Sequence, residues 1–91
     1  MDKPIKLLFF YAGWCRLCKI VAPKLEELQQ EYAGRVEFQF IDIEKTTDLA
    51  IEYEVRSLPT LVLIEKEKPL WRNVGEFTDT ALVTVLDHFC S

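Results

Sequence analysis

Two cysteines separated by two residues, Cys15 and Cys18, are the side chains of this sequence best suited to chemistry. They follow an apolar run at the point where helical spacing begins, so both sulfurs are expected on one face of the first helical turn, close enough to bridge. The helix start lowers the pKa of the Cys15 thiol, and Arg16 adds a cation nearby. Cys15 is therefore predicted to attack disulfides, and the deeper Cys18 to resolve the mixed disulfide.

Two other roles for this pair remain open from the residues alone. Both cysteines could be buried packing residues, although the exposed helix-start position expected for Cys15 argues against that role. A Cys-x-x-Cys pair also supplies half of a tetrahedral zinc site. The other half would have to come from His88 and Cys90, and residues two apart on a helix point to different sides. No metal site within one chain is therefore expected, and a cluster shared between two chains would form more readily.

The third cysteine, Cys90, is expected to fill the core. It lies four residues after Leu86 and eight after Leu82, on a helical stripe predicted to pack against the sheet. His88 lies off this stripe and is expected at the surface. Neither residue is predicted to take part in redox chemistry.

The elements that position the cysteine pair can be placed from the spacing of apolar residues. A strand over residues 5–11 is apolar at nearly every position, as expected for a strand buried on both faces. The helix that starts at Cys15 is predicted to end at Gly34 and to bend at Pro23, which lacks an amide hydrogen. The remaining predicted elements are a strand over 36–43, a short helix from Thr46 or Thr47 to about Tyr53, strands over 60–64 and 70–74 around a charged turn, and a last helix from Thr78 or Asp79.

The order β-α-β-α-β-β-α predicts an α/β fold with one four-stranded mixed sheet and three helices. The first strand, helix and second strand form a right-handed crossover unit, so these two strands should be parallel. The last helix should cover the sheet with one apolar stripe. This stripe consists of Leu82, Val85, Leu86 and Phe89.

Length and charge limit the class of protein. A chain of 91 residues forms one domain, taken as 1–91. A net charge of −4 without a basic run excludes a typical nucleic-acid binder. The longest apolar run, residues 7–14, is far short of the roughly 20 residues that cross a membrane, and residues 1–4 do not begin a signal peptide. We therefore expect a cytoplasmic protein without a membrane partner.

Three segments of the chain resemble the thioredoxin family. Residues 11–19, which contain both cysteines, are similar to the family's active-site segment, and Ala22-Pro23 follow at the family's spacing. Residues 56–60 resemble the loop that carries a cis-proline, and Val74-Gly75 resemble the glycine element beside the same groove. The resemblance runs from Cys15 to Gly75 without an insertion, and identifies a short, minimal form of the fold.

This resemblance implies a set of site residues and partners. Leu58–Pro59 should be a cis peptide facing the cysteines, and Leu58 should offer its backbone to an extended substrate. The docking groove should consist of Trp14, Leu58, Pro59, Val74 and Gly75. The expected partners are protein disulfides and an electron donor resembling thioredoxin reductase; no cofactor is expected, and the chain should be a monomer.

Three departures from the family pattern bear on activity. The family usually has an additional strand and helix before the strand that leads to the cysteines, and only about four residues precede that strand in this sequence. The usual Gly-Pro between the cysteines is Arg16-Leu17, which should tune the redox potential. Phe9 stands where the family has a buried carboxylate, and Phe40 where it has the paired lysine. With no carboxylate to accept the Cys18 proton, resolution is predicted to be slow at neutral pH and steeply pH-dependent.

The leading functional interpretation is a protein-disulfide reductase. A glutaredoxin-like, glutathione-dependent reductase is an alternative suggested by the short topology, although the paired glycine and acidic residues that usually hold glutathione are missing after Pro59 and Gly75. A second alternative is a non-catalytic peptide-binding module, suggested by Phe9. Insulin reduction distinguishes the three.

Overall fold

The computed structural model describes residues 5–90, and the interpretation of residues 1–4 lies outside this range. The elements follow the predicted order. They are β1 (Ile5–Tyr11), α1 (Arg16–Glu31), β2 (Val36–Asp42), α2 (Thr47–Glu52), β3 (Thr60–Glu65), β4 (Lys68–Val74) and α3 (Asp79–Cys90).

The strands form one mixed sheet in the order β2-β1-β3-β4. β1 pairs with β2 in parallel and with β3 antiparallel, and β3 pairs with β4 as a hairpin. The predicted four-stranded mixed sheet is confirmed. β1 is an inner strand, which accounts for its almost continuous apolar sequence, because both of its faces are covered.

Alternate residues of β1 point into separate cores on the two faces of the sheet. Leu7 and Phe9 belong to a core that includes the cysteine pair and the buried faces of α1 and α3. Leu8 and Phe10 belong to a smaller core that includes the buried face of α2. The site therefore lies at the end of a strand that is held from both sides.

The first helix ends earlier than predicted. It stops at Glu31, with Tyr32 as its C-cap, and not at Gly34. The amides of Arg35 and Val36 both donate to the Tyr32 carbonyl, so the chain turns back at once to begin β2. Gly34 has φ +91° and serves this turn instead of capping the helix. Pro23 lies within α1, and the bend there stays a prediction.

The start of α2 at Thr46 and Thr47 agrees with the prediction, whereas one residue predicted for the buried stripe of α3 is wrong. Phe89 was predicted to belong to this stripe but is 37% exposed. The buried side chains of α3 are spaced four residues apart, at Leu82 and Leu86, and half-buried Cys90 continues this spacing. Thr46 is the N-cap of α2 but makes no side-chain capping bond, and the Thr47 hydroxyl donates back to the Ile43 carbonyl.

Across residues 5–90, every helix is too short or too polar to cross a membrane.

Candidate active site

The two cysteines of the Cys-x-x-Cys segment form a disulfide at the start of α1. Their Cα atoms are 5.3 Å apart. The Cys15 amide donates to the Ala12 carbonyl over 3.1 Å, which closes the turn between β1 and α1. Cys15 is the N-cap of the helix, and its Sγ accepts a hydrogen bond from the Cys18 amide over 3.2 Å. The Cys15 sulfur therefore lies against a helix amide, where negative charge is stabilised.

Burial of the two cysteines differs from the prediction in one respect. Cys18 is the deeper residue, 2% exposed against 7% for Cys15, as expected. Cys15 was expected to be exposed, however, and in this disulfide state it is buried. The reason is its capping role, because the side chain turns inward to the Cys18 amide. The exposed surface at this point comes from its neighbour Trp14, which is 68% exposed.

The two segments expected to border a docking groove lie side by side. The Leu58–Pro59 bond is cis. The Gly75 amide donates to the Pro59 carbonyl over 2.9 Å, so these segments are joined through their backbones. Leu58 is half-buried and packs against the core that contains both cysteines, whereas Val74 is 52% exposed.

The two residues between the cysteines face different surroundings. Arg16 is the first residue of α1 and is exposed, and Leu17 is half-buried against the core. The first turn of α1 contains no acidic residue. The Arg16 cation is therefore not neutralised within its own helical turn.

Side chains that the sequence reasoning missed hold both groove segments. The Thr60 hydroxyl, fully buried, donates to the Ser57 carbonyl over 2.6 Å. The Asn73 side-chain amide donates to the carbonyls of Gly75 and Glu76. An asparagine within a predicted strand was the available signal, because this residue is depleted in strands. Nothing in the sequence distinguished Thr60 from an ordinary strand residue.

A cavity of about 280 Å³ lies behind Cys18. Its aromatic lining includes Phe9 and Phe40, which pack edge to face with ring centroids 5.6 Å apart. Lys19 and Glu26 also line it, and both are exposed. Glu26 was missed, although it follows Cys18 by eight residues and so shares its helical face. The side of Cys18 that borders Phe9 is therefore aromatic.

The remaining cysteine is separate from this site. Cys90 is half-buried against the main core, and burial raises the pKa of its thiol while the Arg35 charge opposes that effect. His88 is exposed, as predicted. In the part of the chain that the structure describes, no three His, Cys, Asp or Glu side chains are grouped to hold a metal ion.

Comparison with known proteins gives a consistent result. Residues 1–88 match the family model described as Thioredoxin. The chain is 37% identical over 81 residues to thioredoxin C-2 of Corynebacterium nephridii, covering 89% of this chain and 75% of that protein. It is also 37% identical over 87 residues to a thioredoxin of Staphylococcus epidermidis, covering 96% and 84% of the two chains.

Solved structures agree with the sequence matches. A mutant thioredoxin from Halobacterium salinarum NRC-1 superposes with a TM-score of 0.89 at 30% identity, covering 99% of this chain and 78% of that one. The oxidised mitochondrial thioredoxin 3 of Saccharomyces cerevisiae gives a TM-score of 0.84 at 32% identity, covering 96% and 80%. With a disulfide pair at the start of α1, this chain belongs to the thioredoxin family and is a thiol-disulfide oxidoreductase, a reductase of protein disulfides.

Proposed function

We propose that Cys15 is the attacking residue and Cys18 the resolving residue of this reductase. The Cys15 thiolate attacks one sulfur of a client disulfide, forms a mixed disulfide and releases the other client sulfur as a thiolate. The Cys18 thiolate then attacks Cys15 Sγ, which frees the second client thiolate and leaves the Cys15–Cys18 disulfide. Two electrons pass from the protein to the client, and the two client thiolates take up the protons that the cysteines lose.

The observation that carries this assignment is the hydrogen bond from the Cys18 amide to Cys15 Sγ. An amide at a helix start stabilises negative charge on the sulfur that accepts from it. Cys18 is buried more deeply and so is the less accessible sulfur for a protein client. The attack is therefore assigned to Cys15 and the resolution to Cys18.

The client segment docks along Trp14, Leu58, Pro59, Val74 and Gly75. Exposed apolar surface on Trp14 and Val74 supports this proposal, since it can be buried against an extended client. The Gly75–Pro59 hydrogen bond supports it as well, because it keeps the two segments adjacent. Leu58 provides backbone groups for pairing with the client, as in other cases of strand addition.

Two features of the site determine the redox potential of the cysteine pair and the rate at which Cys18 resolves the mixed disulfide. Arg16 and Leu17, between the cysteines, tune the redox potential, and the Arg16 charge favours the reduced, thiolate form. Phe9 places an aromatic ring beside the space behind Cys18, so no carboxylate at that position can accept the Cys18 proton, and the Glu26 carboxylate that lines the same space is exposed to solvent. Resolution is therefore slow at neutral pH.

The wider assignment is that of one domain, residues 1–91, working as a monomer in the cytoplasm. A reducing compartment keeps the cysteine pair available as a dithiol. Electrons come from a donor resembling thioredoxin reductase, without a bound cofactor on this chain. The net charge of −4 fits protein clients better than nucleic acid, and no membrane partner is proposed.

Insulin reduction driven by dithiothreitol tests the proposal. The wild type should accelerate precipitation of the insulin B chain, and Cys15→Ser should return the rate to that of dithiothreitol alone. Equal rates for both proteins would refute catalysis and indicate a peptide-binding module. Activity that requires glutathione in place of dithiothreitol would instead indicate a glutaredoxin-like enzyme.

A further inference from the structure

Asn73 has a position and bonding pattern that the core does not explain. It lies on β4, opposite Leu61 of β3, and its side chain is half-buried. Because Leu61 belongs to the core that includes the cysteine pair, Asn73 lies on the same face of the sheet as α1 and α3. Its side chain is thus directed to the side of the sheet that carries the active site.

Both hydrogen bonds of the Asn73 amide go to the segment that follows β4. Nδ2 donates to the Gly75 carbonyl over 3.2 Å and to the Glu76 carbonyl over 3.3 Å. This segment has no regular secondary structure before α3 begins, and Gly75 has φ +88°. The backbone here therefore depends on individual hydrogen bonds for its conformation.

The same segment forms one side of the proposed docking groove. The Gly75 amide donates to the Pro59 carbonyl, and the Gly75 carbonyl accepts from Asn73. Hydrogen bonds therefore fix the peptide groups before and after Gly75. Without Asn73, the carbonyls of Gly75 and Glu76 would be free to rotate toward the groove. Client docking would then have to order this segment, which reduces affinity.

We propose that Asn73 is a positioning residue for client binding, which fixes Val74, Gly75 and Glu76 as a preformed side of the groove. The proposal rests on the proposed function, because it assumes that clients dock against Val74 and Gly75. The Asn73 amide donates to backbone carbonyls and not to a cysteine sulfur. Its loss should therefore weaken client docking without changing the chemistry of Cys15.

The test compares Asn73→Asp and Asn73→Ala with the wild type. Aspartate keeps the size of asparagine but cannot donate to a carbonyl, and alanine removes the amide without adding a charge. Lys68→Ala is the matched control, since Lys68 is exposed on the same strand at the end far from Gly75. Far-UV circular dichroism and a urea midpoint establish that each variant is folded at the assay temperature.

Single-turnover oxidation of each reduced protein by a fluorogenic disulfide-linked peptide gives a half-saturating peptide concentration and a limiting rate. Both Asn73 variants should raise the half-saturating concentration about fivefold, equivalent to about 1 kcal/mol, and leave the limiting rate within about twofold. Alkylation of Cys15 by iodoacetamide should not change. Lys68→Ala should match the wild type in every measurement.

Three outcomes are distinguishable. A half-saturating concentration unchanged in both Asn73 variants would overturn the role of Asn73. An equal decrease in the rate of oxidation by the peptide and in the rate of Cys15 alkylation would also overturn this role, since it would show a general structural effect. If the wild type itself fails to react with the peptide faster than Cys15→Ser, the proposed function fails, whatever the Asn73 variants do.

Discussion

The hydrogen bond between Tyr32 and Asp87 gives a prediction for stability in alkaline solution. Tyr32 is the C-cap of α1 and is 3% exposed, and its hydroxyl donates to Asp87 Oδ1 of α3 over 2.5 Å. The Arg35 guanidinium lies 4.4 Å from the centre of the Tyr32 ring. Burial, followed by the hydrogen bond and the charge of Asp87, raises the pKa of Tyr32 to about 12 from 10.0.

The magnitude follows from this difference in pKa. A group whose pKa is higher in the folded state contributes its full stability below the unfolded pKa and loses it as the pH rises toward the folded pKa. For Tyr32, the loss in free energy of unfolding is about 1.4 kcal/mol at pH 11 and about 2 kcal/mol at pH 12. Tyr32→Phe avoids this loss, but gives up about 1 kcal/mol of hydrogen bonding at pH 7.

Urea unfolding of the wild type and Tyr32→Phe between pH 7 and pH 12 measures the effect. Subtracting one free energy from the other cancels the lysines and other tyrosines, which both proteins share. The wild type should be the more stable protein at pH 7, the two should be equal near pH 11, and the phenylalanine variant should be the more stable at pH 12. In Asp87→Asn the alkaline loss should shrink, because Asp87 supplies two of the effects that raise the pKa. A difference between wild type and Tyr32→Phe that stays constant from pH 8 to pH 12 would refute the reasoning.

Three further predictions concern the site and the core. In stopped-flow release from a mixed disulfide on Cys15, resolution by Cys18 should be slow at pH 6 and rise steeply toward pH 9, because Phe9 replaces a proton acceptor; a fast and flat profile would contradict this. Thr60→Val should lower the free energy of unfolding in urea by about 1 kcal/mol, since the Ser57 carbonyl loses its donor. Leu25→Ala should lower it by about 2–5 kcal/mol, since this fully buried side chain leaves a cavity in the main core; an unchanged urea midpoint would count against either assignment.

The sequence predicted the fold because local patterns and tertiary structure agree along most of the chain. The apolar run of residues 5–11 indicates a strand that is buried on both faces, and in the structure these residues form β1, an inner strand of the sheet. The end of α1 was harder to place, because Gly34 is suited to a helix cap as well as to the turn it occupies. That choice depends on where β2 has to begin, which is a tertiary constraint.

The site was predicted where it depends on spacing and missed where it depends on side-chain direction. The positions of Cys15 and Cys18 follow from their separation along one helix. The inward orientation of Cys15 follows from a capping bond, which cannot be deduced from residue type, because cysteine is not a usual cap. The contacts of Asn73 and Glu26 depend on how β4 and α1 face the site, which residue type and spacing do not determine.

The capping bond of Cys15 affects how inactive variants of this protein should be chosen. Serine at position 15 retains an oxygen that can accept a hydrogen bond from the Cys18 amide, whereas alanine leaves that amide without an acceptor. Loss of a helix cap typically costs about 0.5–2 kcal/mol. An alanine variant therefore loses the nucleophile and also has a weakened helix start, so an activity assay on it would report both effects at once. The serine variant isolates the loss of the nucleophile.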